Sequence, residues 1–182
     1  MRPSARRAAR ALVIGSVVAA VAACGTTADP NRSLTVPSIG PGSTVSAAVD
    51  QTRIALVNAL ATHDLVLTDT QSPVRPAESP LLTTAPRAVY QVILPKDPQK
   101  GFIVVYEFPD PGRAATAAAE EQAYLATGPA RVQTTSGTIT VIRQVGATIV
   151  LYTWLPAGAA DASAPGIQAA LETLGVGYPV AP

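Results

Sequence analysis

Cysteine, histidine and methionine are almost absent from this 182-residue chain, which has one of each. A single cysteine excludes an intramolecular disulfide. One His and one Cys leave nothing like the ligand clusters of structural zinc sites, so no metal is expected. Catalytic motifs are missing too. A Ser-His-Asp triad would have to run through His63, and the chain has no G-x-S-x-G elbow and no Gly-rich phosphate loop. Charged residues make up only 14% of the chain and aromatics only 4%. Charge this sparse forms no basic stripe, which excludes a nucleic-acid footprint. The sequence therefore points to no catalytic residue and to no cofactor.

The amino-terminal residues are more informative. Arg2, Arg6, Arg7 and Arg10 precede an apolar run over residues 11–23. The run is shorter than the ~20 residues a membrane-spanning helix needs and suits a cleaved signal. It closes on Val21-Ala22-Ala23-Cys24. This junction resembles a bacterial lipobox, in which a leucine-like residue and two small residues precede the cysteine that receives lipid. The resemblance implies a signal over residues 1–23 and a lipidated Cys24 on the extracytoplasmic face of the cell membrane. Lipidation would also account for an unpaired cysteine in an exported chain. The alternative is an ordinary A-x-A site at Ala20-Val21-Ala22, which would leave Cys24 as a free thiol. Arg6-Arg7 lacks the apolar pair and lysine usual after a twin-arginine motif.

Without the signal, nine basic residues face twelve acidic ones, a net charge of −3. Two Lys against 11 Arg, with abundant Ala and Pro, suggest a G- and C-rich, actinobacterial source. Residues 25–42 carry three Pro, three Gly and no periodicity, the composition of a flexible tether. Fully stretched, it would reach roughly 60 Å. Residues 43–182 suit one domain with a single core.

Periodicity predicts the elements of that domain. Ser43 or Thr44 would cap a first helix reaching about Thr62, with Val45, Val49, Leu56 and Leu60 at helical spacing and Ile54 and Val57 widening the stripe. Leu65–Thr68 reads as a strand. Residues 70–87 form a loop with Pro73, Pro76, Pro80 and Pro86. Strands 88–94 and 101–108 make a hairpin, the second apolar on both faces and so central. Asp110-Pro111 caps an Ala-rich helix that Gly128-Pro129 stops. A second hairpin spans 138–144 and 147–154, and a last helix runs from Ser163 to Gly175. The fold class is α+β, a two-layer arrangement of an antiparallel sheet with helices mainly on one face. The order is α-β-(loop)-β-β-α-β-β-α. Residues 88–128 and 138–175 each read β-β-α, which raises a structural duplication without any residue-level repeat.

From about Leu56 to Gly175 the chain resembles a loose group of small exported bacterial proteins of unknown function. The landmarks are Ile103-Val104-Val105-Tyr106-Glu107-Phe108, the Pro109-Asp110 opening of the Ala-rich helix, and the hairpin at Arg143-Gln144-Val145-Gly146. The resemblance implies an α+β fold and no activity.

Few side chains are candidates for function. His63-Asp64 is expected to cap the first helix. Glu120 and Glu121 are expected on a solvated helix face. Arg143 is expected to pair with a carboxylate such as Glu107. Tyr90, Tyr106, Tyr152 and Trp154 would line the open face of the sheet. Arg75 and Arg87 flank the Pro-rich loop. The candidate binding surface is therefore Arg75, Arg87, Trp154, Tyr152 and Tyr90. Three hypotheses follow. One is a tethered, non-catalytic binding or accessory module with an envelope protein as partner. Another is a carrier of an apolar ligand or lipid, with a cavity between sheet and helices. The last is an enzyme using Glu107 with Asp110, which needs a deep pocket and a perturbed carboxylate.

Overall fold

The computed structural model describes residues 46–180. The signal, Cys24, the tether and the expected cap at Ser43 or Thr44 lie outside them. Helix α1 spans Ala47–Ala61 and its cap is Ser46, whose hydroxyl accepts the Val49 N–H at 3.2 Å. Strand β1, Leu67–Asp69, is short. The Pro-rich loop contains a helix that periodicity did not predict, α2 at Pro80–Thr84. Strands β2 (Arg87–Val92) and β3 (Phe102–Glu107) form the first hairpin. Helix α3, Pro111–Ala126, starts at the expected cap, with the Asp110 carboxylate accepting the Arg113 N–H at 2.8 Å. Gly128-Pro129 ends α3 as expected but also opens a second short helix, α4 at Gly128–Gln133. Strands β4 (Ile139–Val145) and β5 (Thr148–Trp154) turn at Gly146, whose φ of 58° suits glycine. A 3-10 turn at Pro156–Gly158 leads to α5, Ala164–Glu172, and then to β6, Val176–Gly177.

The fold is α+β. Its six strands form one sheet in the order β1-β2-β3-β5-β4-β6, with every pair antiparallel. Very short edge strands leave little free backbone to recruit other chains. Strand β3 is central, as its unbroken apolar run requires, and alternate residues feed two cores. Ile103 and Val105 pack under α1 and α5, with Leu56, Leu60, Ile167 and Leu171. Val104 and Tyr106 face the other way, against Ala114, Ala117 and Ala118 of α3 and Leu82 of α2. Helices α1 and α5 therefore cover one face, and the Ala-rich α3 with α2 covers the other. Small side chains let α3 sit close to the sheet. Each fully buried Leu or Ile contributes about 1.5–3 kcal/mol, so neither core is dispensable. Ile54 and Val57 stand outside both, 54% and 38% exposed, on the solvent side of α1.

This geometry rules out the duplication. Strands β3 and β5 are antiparallel neighbours. A two-fold axis relating such strands is perpendicular to the sheet and keeps following helices on one face. Helices α3 and α5 lie on opposite faces, so the two β-β-α runs are not rotational copies. Among the described residues no helix is long and apolar enough to cross a membrane.

Candidate functional site

Pairing between the two hairpins stops early. The last β3–β5 pair at this end is Ile103 with Tyr152. Strand β3 goes on with β2 to Phe102, and β5 goes on with β4 to Trp154. The central strands fork there, and a cleft of about 310 Å³ opens in the fork. Gly101, Phe102 and Thr153 to Leu155 form its base, and Val74 and Pro76 of the Pro-rich loop form one wall. Asp97, Gln99 and Lys100, from the loop joining β2 and β3, lie on the other side.

Both walls are held in place. The Asp161 carboxylate accepts the Lys96 N–H at 2.9 Å and the Ser163 N–H at 2.9 Å. Those bonds, the Lys96 amide first, hold its carboxyl below the usual range. Asp97 accepts the Ala160 N–H at 3.4 Å. The Pro-rich wall is fixed by acids. The Glu78 side chain is 5% exposed and accepts the Tyr106 hydroxyl at 2.7 Å and Arg87 at 3.0 Å on one oxygen. Its other oxygen meets Arg75 at 3.4 Å. Burial, then Glu78, pushes the Tyr106 phenol up. Just beyond, Glu121 accepts the Ser79 N–H at 2.7 Å and Glu120 the Leu81 N–H at 3.1 Å. Two carboxylates of α3 thus take up amides at the start of α2, which the helix itself cannot satisfy.

These placements correct several expectations. Tyr90 and Tyr152 do not line an open face. They are 3% and 2% exposed, packed under α1 and α5, because the face they share carries those helices. Burial raises both phenols, and Asp97 adds to the effect at Tyr152. Arg75 and Arg87 are not free contacts, since both bind Glu78. Trp154 is half-buried and donates its indole N–H to Gln168 at 3.0 Å, yet it still borders the cleft. Only Trp154 and Tyr152 of the expected surface reach the cleft, joined by Val74 and Pro76. Glu120 and Glu121 are no solvated pair, and Glu121 is fully buried. Arg143 binds the carbonyls of Leu174 and Gly175 rather than Glu107. Leu174 and Gly175 lie past the end of α5 and lead into β6, so this strand arginine pins the connection between the two elements. His63 closes α1 through its backbone, donating to Leu60 at 2.9 Å, and no side-chain bond joins it to Asp64 among the described residues.

Asp110 is engaged as the α3 cap, and the carboxyl that burial raises is Glu121. Glu121 leaves Oε1 without a partner, as Ser79 leaves its hydroxyl. Among the described residues no group of three His, Cys, Asp or Glu is placed to hold a metal ion. Two signals for the site were present in the sequence. Ser79-Pro80 is a cap followed by proline in the first helical turn. Glu121 stands seven residues after Ala114, on the stripe with Ala117 and Ala118 that faces the sheet. No protein-family model, curated protein or solved structure matches this chain.

Proposed function

We propose that this chain is a lipid-anchored protein of the bacterial cell envelope whose domain is a non-catalytic binding module, with the cleft at the fork of β3 and β5 as its binding site. One observation carries the reading. The cleft is pre-formed, since both its walls are tied down by buried or charge-assisted hydrogen bonds. Pre-ordered walls lower the entropic cost of binding. The nearby carboxylates support binding over turnover, because they are engaged with backbone amides, Tyr106 and arginines. The Val21-Ala22-Ala23-Cys24 junction supports the anchor. In the second reading, a carrier of an apolar ligand, the ligand space is the cleft rather than the interior. The faces between sheet and helices are filled, with Ala114, Ala117 and Ala118 fully buried against β-strands.

Two measurements test the proposal. Wild-type protein should fractionate with membranes, and Cys24→Ser should release it or stop its processing. Intact mass showing an unmodified Cys24 thiol would defeat the anchor. For the cleft, a photo-crosslinking residue at Val74 should give a discrete adduct in cells. The same residue at Ile54, on the exposed side of α1, should give none. Identical labelling at both positions would defeat the cleft as the binding site.

A further inference from the structure

The cleft does not end at Pro76. Pro76 and Thr153 also line a second depression, of about 370 Å³, that passes over Thr140 toward Leu125. That one shares Leu125, Thr134, Thr138 and Thr140 with a third, of about 240 Å³, which reaches Ser136 and Arg131. The three depressions thus lie in series across the end of the sheet, a trough whose first two parts meet at Pro76 and Thr153.

The trough changes character along its length. At the fork it is mostly apolar, lined by Val74, Phe102, Leu151, Leu155 and Trp154. Beyond Thr153 it is lined by hydroxyls: Thr134, Thr135, Ser136, Thr138 and Thr140. Of these Thr134 gives its proton to the Ala130 carbonyl, and the other hydroxyls have no such bond among the described residues. The charged side chains at that end are Arg75 and Arg131, and no carboxylate among the described residues lines it. The Arg75 side chain is 56% exposed and touches Glu78 through one nitrogen at 3.4 Å, so its pairing with Glu78 leaves donors over.

We propose that the trough binds one molecule of an anionic lipid, with an acyl end beside Trp154 and a phosphate-bearing head among the hydroxyls and the two arginines. The inference rests on the cleft being a binding site and names its ligand. Each methylene buried at the apolar end contributes about 0.8 kcal/mol. Arginine forks match phosphate oxygens, and hydroxyls serve as donors or acceptors to the rest of the head. The floor argues against an extended peptide. Thr140 and Thr153 face each other across paired strands, so the floor offers side chains and no free backbone edge for strand addition.

Trp154 is the only tryptophan in the chain, so its fluorescence reports the apolar end directly. The mature chain, residues 24–182 carrying Cys24→Ser, would be titrated with monomeric dihexanoyl phosphatidylglycerol, with dihexanoyl phosphatidylcholine, and with inorganic phosphate. Phosphatidylglycerol should give a saturable blue shift, phosphatidylcholine should bind about tenfold more weakly, and phosphate alone should leave Trp154 unchanged. Arg131→Gln should bring the two lipids toward equal affinity. Thr153→Phe, at an exposed position, should block both lipids while leaving the circular dichroism spectrum intact. Equal wild-type affinity for both lipids would overturn the head assignment. Saturable binding of an acidic peptide such as hexaglutamate, without either lipid, would overturn the lipid and leave the cleft a binding site. No saturation by any probe, together with no adduct at Val74, would overturn both readings.

Discussion

Glu121 shows how one side chain holds a distant loop. Its carboxylate is fully buried, yet it keeps Ser79 and the start of α2 in place. Burial raises its pKa above the ordinary 4.5, and the neighbouring Glu78 and Glu120 charges push the same way. A carboxyl raised in this way binds its proton more readily in the folded than in the unfolded state. Its contribution to stability is fully present below 4.5 and is lost as pH rises through the raised value. Glu121→Gln keeps an oxygen for the Ser79 N–H, adds a donor toward the unpartnered Ser79 hydroxyl and carries no charge. The variant should be more stable than wild type at pH 7 by about 1 kcal/mol, or roughly 3 °C in melting temperature. The two should converge near pH 4. Thermal melts from pH 4 to 8 check this, and a wild type that melts higher at pH 7 would contradict it.

At the scale of elements, the ends of the helices carry testable energies. Asp110→Ala removes the α3 cap and should cost about 1 kcal/mol. Gly175→Ala should cost more. Gly175 has φ of 37°, and a methyl there would run into the Gln144 carbonyl. The backbone would have to move, taking β6 off β4 and disturbing the carbonyls that Arg143 binds. Urea midpoints of the two variants rank them, and equal midpoints would show that the β6 connection contributes little. The long elements were legible because they follow simple rules. Asp110-Pro111 is a cap and first turn, and 138–154 is two strand-forming runs on either side of Gly146. Helices α2 and α4 were not legible, because at five and six residues neither shows a full apolar period. The site was only half legible. Trp154 borders the cleft as its strand position suggests, whereas Tyr90 is core and Arg87 is paired with Glu78. Side-chain alternation gives the face a residue points to, and the helices that cover that face are chosen by contacts far along the chain.

The sheet of the described domain is two hairpins joined side by side, with the short β1 and β6 at its edges. Within each hairpin, partners lie close in sequence. Across the β3–β5 seam, Val105 meets Val150 and Ile103 meets Tyr152. The acids that position the loops act over similar separations, from Asp161 back to Lys96 and from Glu121 back to Ser79. The cleft therefore depends on long-range contacts made by residues with no motif of their own, which is why sequence pattern alone does not outline it.

The fork has a consequence for kinetics. Hairpins close short loops and form early, whereas joining them requires a much longer closure. The seam should therefore form late in assembly, and its open end is where the pair should begin to come apart. Native-state hydrogen exchange should show this as a gradient, with seam amides near Ile103 and Tyr152 exchanging faster than those near Tyr106 and Ile149. Uniform protection along the seam would contradict it. A molecule lodged in the fork would act as a stitch across the two hairpins, so occupancy should be readable as slowed exchange at Ile103, without any change of shape.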